Sequence, residues 1–167
     1  MNNKANFKYA IAYGSNLGDR NSHIKASLRL IESELGKIIK SSHIYESSPL
    51  GAADQAFLNG VILVESSMSP DLAMQKLLDI EIKGGRTREV KWGNRTIDLD
   101  IILIQHNDSE MVIDSELITA PHPEAHKRDF VIIPLLEVCP QWMIYPLEQT
   151  VAQLASKKFP QHDMKKI

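Results

Sequence analysis

The spacing of apolar residues changes period several times along the chain, and each change predicts an element. Lys8-Tyr-Ala-Ile-Ala-Tyr-Gly14 reads as a first strand, halted by the turn-rich Gly14-Ser-Asn-Leu-Gly-Asp19. Ile24, Leu28, Ile31 and Leu35 then fall at i, i+4, i+7 and i+11, one stripe of a 3.6-residue period, with Gly36 placed to end the helix. Ser41 to Ser47 predicts a second strand and Phe57 to Val64 a third, the latter apolar except for Asn59. Ser69-Pro70-Asp71 supplies an N-cap, a proline at the first helical position and an acid in the first turn, and Ala73, Leu77 and Ile80 continue one stripe. Lys83 to Arg95 has no hydrophobic period and combines three glycines with three arginines, which predicts a mobile loop. Asp98 to Ile104 is strand-like, and Met111 to Ile118 predicts a short extended segment after the polar break at Gln105 to Glu110. Phe130 to Val138 is apolar but interrupted by Pro134, and Pro146 to Lys158 predicts a final short helix through Val151, Leu154 and Ala155. The order is β-α-β-β-α-β with a C-terminal extension, an α+β arrangement expected to form an antiparallel sheet with helices on one face. Without repeats, linkers or low-complexity tracts, residues 1–167 are expected to form one domain.

Composition narrows the class. The chain has 167 residues, 43% hydrophobic and 24% charged, near globular averages, so disorder has no compositional support. One cysteine, Cys139, excludes an intrachain disulfide framework and a cysteine-rich zinc site, and a reducing compartment, the cytoplasm, fits that usage. Its position before Pro140, with no histidine beside it, makes it a small buried hydrophobe. Nineteen basic against 21 acidic side chains give a net charge of -2, which argues against non-specific nucleic-acid binding. The start of the chain carries no apolar run long enough for a signal peptide, and no run approaches the roughly 20 residues of a membrane span. Any phosphate site must therefore be local.

Asp98 and Asp100 are the sharpest chemical signal. Residues i and i+2 of a strand project to one face about 7 Å apart, so the two carboxylates can converge. Like charges at that spacing repel unless a cation sits between them, and hard oxygen donors favour Mg²⁺ or Mn²⁺ over zinc. Asp-x-Asp alone also describes two exposed acids on an edge strand, but Ile101 to Ile104 carry this strand into the core and Arg95 lies three residues upstream. Arg86, Arg88 and Arg95 are either a solvated basic loop or, beside a metal-binding pair, a phosphate clamp, and Arg128 follows His122, His126 and Lys127. No P-loop or protein-kinase set is present, and Gly14 to Gly18 is not a dinucleotide fingerprint. Asn59, with Phe57 two residues earlier on the same face, either reads a planar heterocycle or is satisfied by backbone at a sheet edge. His122 between prolines is a turn histidine or a phosphate donor, and Trp92 reads as a loop anchor.

The run Lys91-Trp-Gly-Asn-Arg-Thr-Ile-Asp-Leu-Asp-Ile-Ile102 closely resembles the signature of the 6-hydroxymethyl-7,8-dihydropterin pyrophosphokinase family. Gly14 to Gly18, Ser48-Pro-Leu-Gly51 with Asp54-Gln55 and Phe57-Leu-Asn59, and Ala120-Pro-His122 through Arg128-Asp-Phe130 extend the resemblance over nearly the whole chain. It implies a ferredoxin-like, usually monomeric enzyme that transfers pyrophosphate from ATP to the hydroxymethyl oxygen of the reduced pterin and releases AMP. It also implies two Mg²⁺ ions on Asp98 and Asp100, with Arg86 and Arg95 catalytic. Arg88, Trp92, His122 and Arg128 match positions that contact ATP, as do Glu81, Thr119 and Ile101, the last through its backbone. Phe57 and Phe130 match the walls that sandwich the pterin, Asn59 the group that reads its amide edge, and the backbone around Ser47 and Leu50 the rest of that pocket. The chain departs from the family pattern in a pterin loop one residue shorter, in Ser48 where a proline is usual and in Phe57 at a position where the family also uses tyrosine. By the same resemblance, Pro123 stands at a position that can be an aromatic contact to ATP, and Leu117 at one that can be an arginine.

Two other classes use parts of the same pattern. A two-metal nuclease needs paired carboxylates, but also a broader basic surface and more acids than a pI near 6.3 suggests. A non-enzymatic ferredoxin-like binding module accounts for the fold but not for the acidic face.

Overall fold

The computed structural model describes residues 6–49, 54–86, 94–157 and 163–167. Its centre is an antiparallel sheet. Strand β1 (Phe7–Ser15) lies between β4 (Phe57–Ser66) and β5 (Asp98–His106), pairing antiparallel with both. Helix α1 (Arg20–Glu34), β2 (Lys37–Ser41) and β3 (Tyr45–Ser47) connect β1 to β4, and α2 (Pro70–Lys83) connects β4 to β5. The architecture is thus α+β with an antiparallel sheet, as the periodicity predicts.

Sheet alternation sorts the core into two layers. Phe7, Tyr9, Ile11 and Tyr13 of β1 share one face with Leu58, Ile62 and Val64 of β4, and there they meet Ile24 and Ile31 of α1 and Leu77 and Ile80 of α2. Ala10 of β1 and Val61 and Leu63 of β4 point the other way, toward α3 (Asp129–Val138) and α4 (Val151–Ala155). Helices therefore cover both faces, which corrects the one-face expectation. β4 reads as a continuous apolar run because it is buried on both sides. A bulge opposite Ala10/Ile11 leaves Ile102 as the extra residue of β5, so Ile102 and Leu103 both join the α3 layer.

The expected second strand is two strands. β2 pairs with Ile62 to Glu65 and β3 with Phe57 to Asn59. Between them Ser42 substitutes for a regular ladder: its N–H donates to the Val61 carbonyl at 2.9 Å, and its Oγ accepts from the Val61 N–H at 2.9 Å. Phe130 to Val138 is helical despite Pro134, whose ring nitrogen cannot donate to the preceding turn, because Val131, Ile132, Leu135 and Val138 are buried. Ser69 holds the cap position of α2, but its hydroxyl makes no cap bond. By contrast Asp19 caps α1 through Ser22 N, and Thr150 and Gln153 form a capping box on α4.

The remaining strands are short. β6 (Ser109–Met111) forms a hairpin with β5 through Asn107 and Asp108, both at positive φ, while β7 (Ile113–Asp114) pairs with β8 (Thr119–Ala120). The expected extended segment is thus divided between two pairings. β9 (Met143–Ile144) pairs with β10 (Gln149–Thr150), and β11 (Lys165–Lys166) extends the main sheet beyond β3. Among the described residues no helix is long and apolar enough to cross a membrane.

Candidate active site

One row of the main sheet sets the site. Tyr45 of β3 is registered against Asn59 of β4, Asn59 against Gly14 of β1, and Gly14 against Asp98 of β5. Registered residues share a face, so Asn59 and Asp98 stand on the α3 side of the sheet, two strand spacings or about 10 Å apart. Between them β1 offers only Gly14 and, in the next row, Ala12 opposite Asp100. A Cβ at residue 14 would lie 3.3 Å from Asn59 Oδ1 and 3.6 Å from Phe57 Cδ1, so glycine here keeps the floor of a cleft open.

Two cavities meet over that floor. A smaller one, about 110 Å³, is lined by Ser47, Phe57, Asn59 and Phe130 together with Gly14 and Ala12. A larger one, about 530 Å³, is lined by Met74, Leu78, Glu81, Arg86, Leu117, His122 and Glu124. Arg95, Asp98, Asp100 and Arg128 line both. An apolar, amide-bearing pocket and a polar pocket thus share an acidic and basic junction.

Each group at the junction has a structural cause. Asp98 Oδ1 accepts from Arg86 Nη1 at 2.9 Å and Oδ2 from Arg95 Nη1 at 2.6 Å. The Arg86 guanidinium also reaches Glu81 Oε1 at 2.5 Å, and that same oxygen accepts the Leu99 N–H at 2.8 Å. Glu81, from the last turn of α2, therefore fixes the peptide between the two aspartates. Its own carboxyl is held above the ordinary range, chiefly by burial. Asp100 is shifted in the same direction, first by burial and then by the charges of Asp98 and Glu81, with Arg95 and Arg86 opposing. His122 is shifted down by burial and by Arg128, with Glu124 and Asp98 opposing, which favours the neutral ring. Its Nδ1 accepts from the Glu124 N–H at 3.2 Å, leaving Nε2–H as the ring's donor.

Among the described residues no group of three or more His, Cys, Asp or Glu side chains gathers around one metal position. Asp98 and Asp100 are nevertheless a fitting donor set for a hard divalent cation. Such an ion commonly binds through one or two carboxylates and takes water and substrate phosphate oxygens for the rest. Burial first, and then the charges of Asp98 and Glu81, raise the Asp100 carboxyl, and a bound cation would favour its ionised form.

On the apolar side, Asn59 is buried and its Nδ2 donates to Ser47 Oγ at 2.7 Å. The amide is thus satisfied in part by a side chain rather than by backbone, and Ser47 acts through its hydroxyl, where only its backbone was expected. Phe57 and Phe130 line the same pocket, and the Arg128 guanidinium lies 5.8 Å from the Phe130 ring centroid. Ile101 and Thr119 are not brought to either cavity: Ile101 is core, and Thr119 Oγ1 bonds Asp114 at 2.9 Å. Leu50, Arg88 and Trp92 lie outside the described residues. Sequence reasoning missed Ala12, Met74, Leu78 and Glu124. For Ala12 a signal existed in the alternation of large and small residues from Tyr9 to Gly14.

A cleft with a heterocycle-sized apolar pocket opening onto arginine-bracketed carboxylates suits an enzyme that moves a phosphate-bearing group onto a small acceptor. The class is that of a phosphate-transferring enzyme. Residues 10–140 match the family model described as 7,8-dihydro-6-hydroxymethylpterin-pyrophosphokinase (HPPK), and the chain belongs to that family. It is 41% identical over 133 residues to the 2-amino-4-hydroxy-6-hydroxymethyldihydropteridine pyrophosphokinase of Bacillus subtilis (strain 168), covering 78% of this chain and 77% of the relative. It is 38% identical over 160 residues to the protein of the same name from Haemophilus influenzae, covering 94% and 96%. Among solved structures, an HPPK-DHPS in complex with substrates matches with a TM-score of 0.69 at 14% identity, over 90% of this chain and 43% of that one. The Plasmodium falciparum HPPK-DHPS A437G variant with STZ-DHP matches with a TM-score of 0.69 at 16% identity, over 93% and 46%. The chain spans less than half the length of those structures, and at such identity the likeness concerns the fold.

Proposed function

We propose that this chain transfers the pyrophosphoryl group of ATP to the hydroxymethyl oxygen of 6-hydroxymethyl-7,8-dihydropterin and releases AMP, a step of folate biosynthesis. The observation that carries this reading is the sharing of Arg95, Asp98, Asp100 and Arg128 between an apolar pocket and a larger polar one. Two substrates in adjoining pockets would meet at those four side chains.

In the smaller pocket, Phe57 and Phe130 offer apolar ring faces to the pterin, and the Asn59 amide, steadied by Ser47, reads its edge. Leu50 belongs to the same pocket by resemblance. In the larger pocket, Arg86, His122 and Arg128 present donors to the triphosphate, while Met74, Leu78 and Leu117 supply apolar surface to the nucleotide. By resemblance Arg88 and Trp92 would join that contact set, whereas Thr119 and Ile101, which the resemblance also implies, do not line this pocket. The pterin hydroxyl attacks the β-phosphorus: an oxygen–phosphorus bond forms, the hydroxyl proton passes to solvent water, and the bond from the β-phosphorus to the α,β-bridging oxygen breaks with AMP as leaving group. Arg86 and Arg95 stabilise the charge that develops on the transferring oxygens. Asp98 and Asp100 would hold Mg²⁺, two ions by resemblance, supplying charge neutralisation and alignment of the reacting oxygens.

The core order β5-β1-β4-β2 with crossovers through α1 and α2 supports a ferredoxin-like reading of the sheet. We take residues 1–167 as one pyrophosphokinase domain, acting as a monomer in the cytoplasm on small molecules rather than on nucleic acid. Incubation with ATP, Mg²⁺ and the reduced pterin tests the reading. AMP and a diphosphorylated pterin are expected. Nucleotide release from DNA would favour a nuclease, and no turnover of either would favour a binding module.

A further inference from the structure

Two asparagines, Asn16 and Asn94, join the stretches of chain that lead into Phe57 and Arg95. Asn16, fully buried, donates its N–H to the Arg95 carbonyl at 3.0 Å and accepts the Arg95 N–H on Oδ1 at 2.6 Å, so both sides of the Arg95 backbone are pinned. Its Nδ2 donates to the Gln55 carbonyl at 3.3 Å and to Asn94 Oδ1 at 3.1 Å. Asn94 continues the link. Its Oδ1 also accepts the Asp54 N–H at 3.1 Å, and its Nδ2 donates to Asp54 Oδ2 at 3.3 Å. Asp54 and Gln55 lead directly into Phe57, and Asn94 precedes Arg95, whose guanidinium holds Asp98.

We propose that Asn94 is a positioning residue that sets Arg95 and the approach to Phe57 in one register, so that the acceptor pocket and the phosphate side are coupled through the Asn94–Asp54 pair. The inference rests on the function proposed above. Asn94 touches no substrate in this account and acts through Arg95 and the residues before Phe57. Asn16 is the buried base of the device. Asn94, at the surface, is the part that can be altered without opening the core. Reacting groups misplaced by about 1 Å lose rate steeply, so a bond that fixes two walls at once bears on turnover more than on the affinity of either ligand alone.

The pair can be tested by reversal. Asn94→Asp alone sets two carboxylates against each other. Asn94→Asp combined with Asp54→Asn restores a donor facing an acceptor, keeps the Asn94 Oδ1 acceptor for Asn16, and leaves the net charge unchanged. For Asn94→Asp we expect kcat to fall about fivefold to tenfold, with the affinity for a non-hydrolysable ATP analogue in Mg²⁺ changed less than about twofold. The factor by which that analogue alters reduced-pterin affinity should shrink toward one. The double variant should recover both readouts. Unchanged kcat in Asn94→Asp, or a loss the reversed pair does not restore, overturns this inference, and melting temperatures separate a loss of fold from a loss of coupling. A wild-type protein that forms no AMP instead overturns the proposed function.

Discussion

Asn59 and Asp98 are registered against the same residue, Gly14, from opposite sides of β1. The side chain that would read the acceptor and the side chain that would bind cation are thereby held about 10 Å apart by sheet geometry alone. The spacing depends on nothing rising from residue 14. Gly14→Ala should weaken reduced-pterin binding by about threefold to tenfold through contact with Asn59 Oδ1, while ATP-analogue affinity stays near wild type. Calorimetry with each ligand checks this, and equal losses would contradict it.

Phe130→Ala and Asn59→Ala test the acceptor pocket from its walls. Stacking on the Phe130 ring is worth about 1–3 kcal/mol and a lost hydrogen bond that leaves a buried partner unpaired about 1–3 kcal/mol, so each variant should weaken the pterin by roughly tenfold and leave ATP-analogue binding near wild type. Loss of both affinities together would place the pterin elsewhere.

Asp100 gives a prediction in pH. Its folded-state pKa is raised by burial and by Asp98 and Glu81, so the stability it contributes is full below the ordinary carboxylate range and is lost as pH rises toward neutrality. Asp100→Asn removes that loss. In metal-free buffer the variant should gain melting temperature over wild type progressively from about pH 4 to pH 7, at about 2–4 °C per kcal/mol for a chain of this size. Mg²⁺ should narrow the gap by stabilising the wild type. A difference constant across the pH range would contradict the assignment.

Arg86 joins Glu81 to Asp98, and its donors are also offered to the larger cavity. Arg86→Ala should lower kcat by about 10²–10³ while weakening the ATP analogue far less, because its charge is needed most where charge develops. A loss confined to nucleotide affinity would make it a binding residue only.

Much of this architecture was legible in the sequence, and the failures have identifiable causes. The stripe from Ile24 to Leu35 and the alternation of β1 gave their elements because burial on one side enforces a period. Asp98 and Asp100 were legible as one face because strand geometry requires it. The second helical layer was missed although Phe57 to Val64 carries its sign, a strand apolar at consecutive positions and therefore covered on both faces. Pro134 masked α3, since the burial that overrides a broken helical bond is a tertiary effect. β2 and β3 were merged because Ser42 completes the ladder between them with its hydroxyl, which no propensity encodes. Ala12 and Gly14 were overlooked as site residues because their contribution is the absence of bulk. The bonds of Asn16 reach 39 and 78 residues along the chain, beyond any local pattern.

The central claim is that the β-phosphorus of ATP is attacked by the pterin hydroxyl at the junction of Arg95, Asp98 and Asp100. Phosphorus NMR of the complete reaction reads it most directly. The account predicts AMP and pterin diphosphate in equal amounts, formation of both requiring Mg²⁺, and loss of both in Asp98→Ala and Asp100→Ala proteins that circular dichroism shows to be folded. ADP as the nucleotide product, AMP formed without pterin, or near-normal turnover in either folded aspartate variant would contradict it.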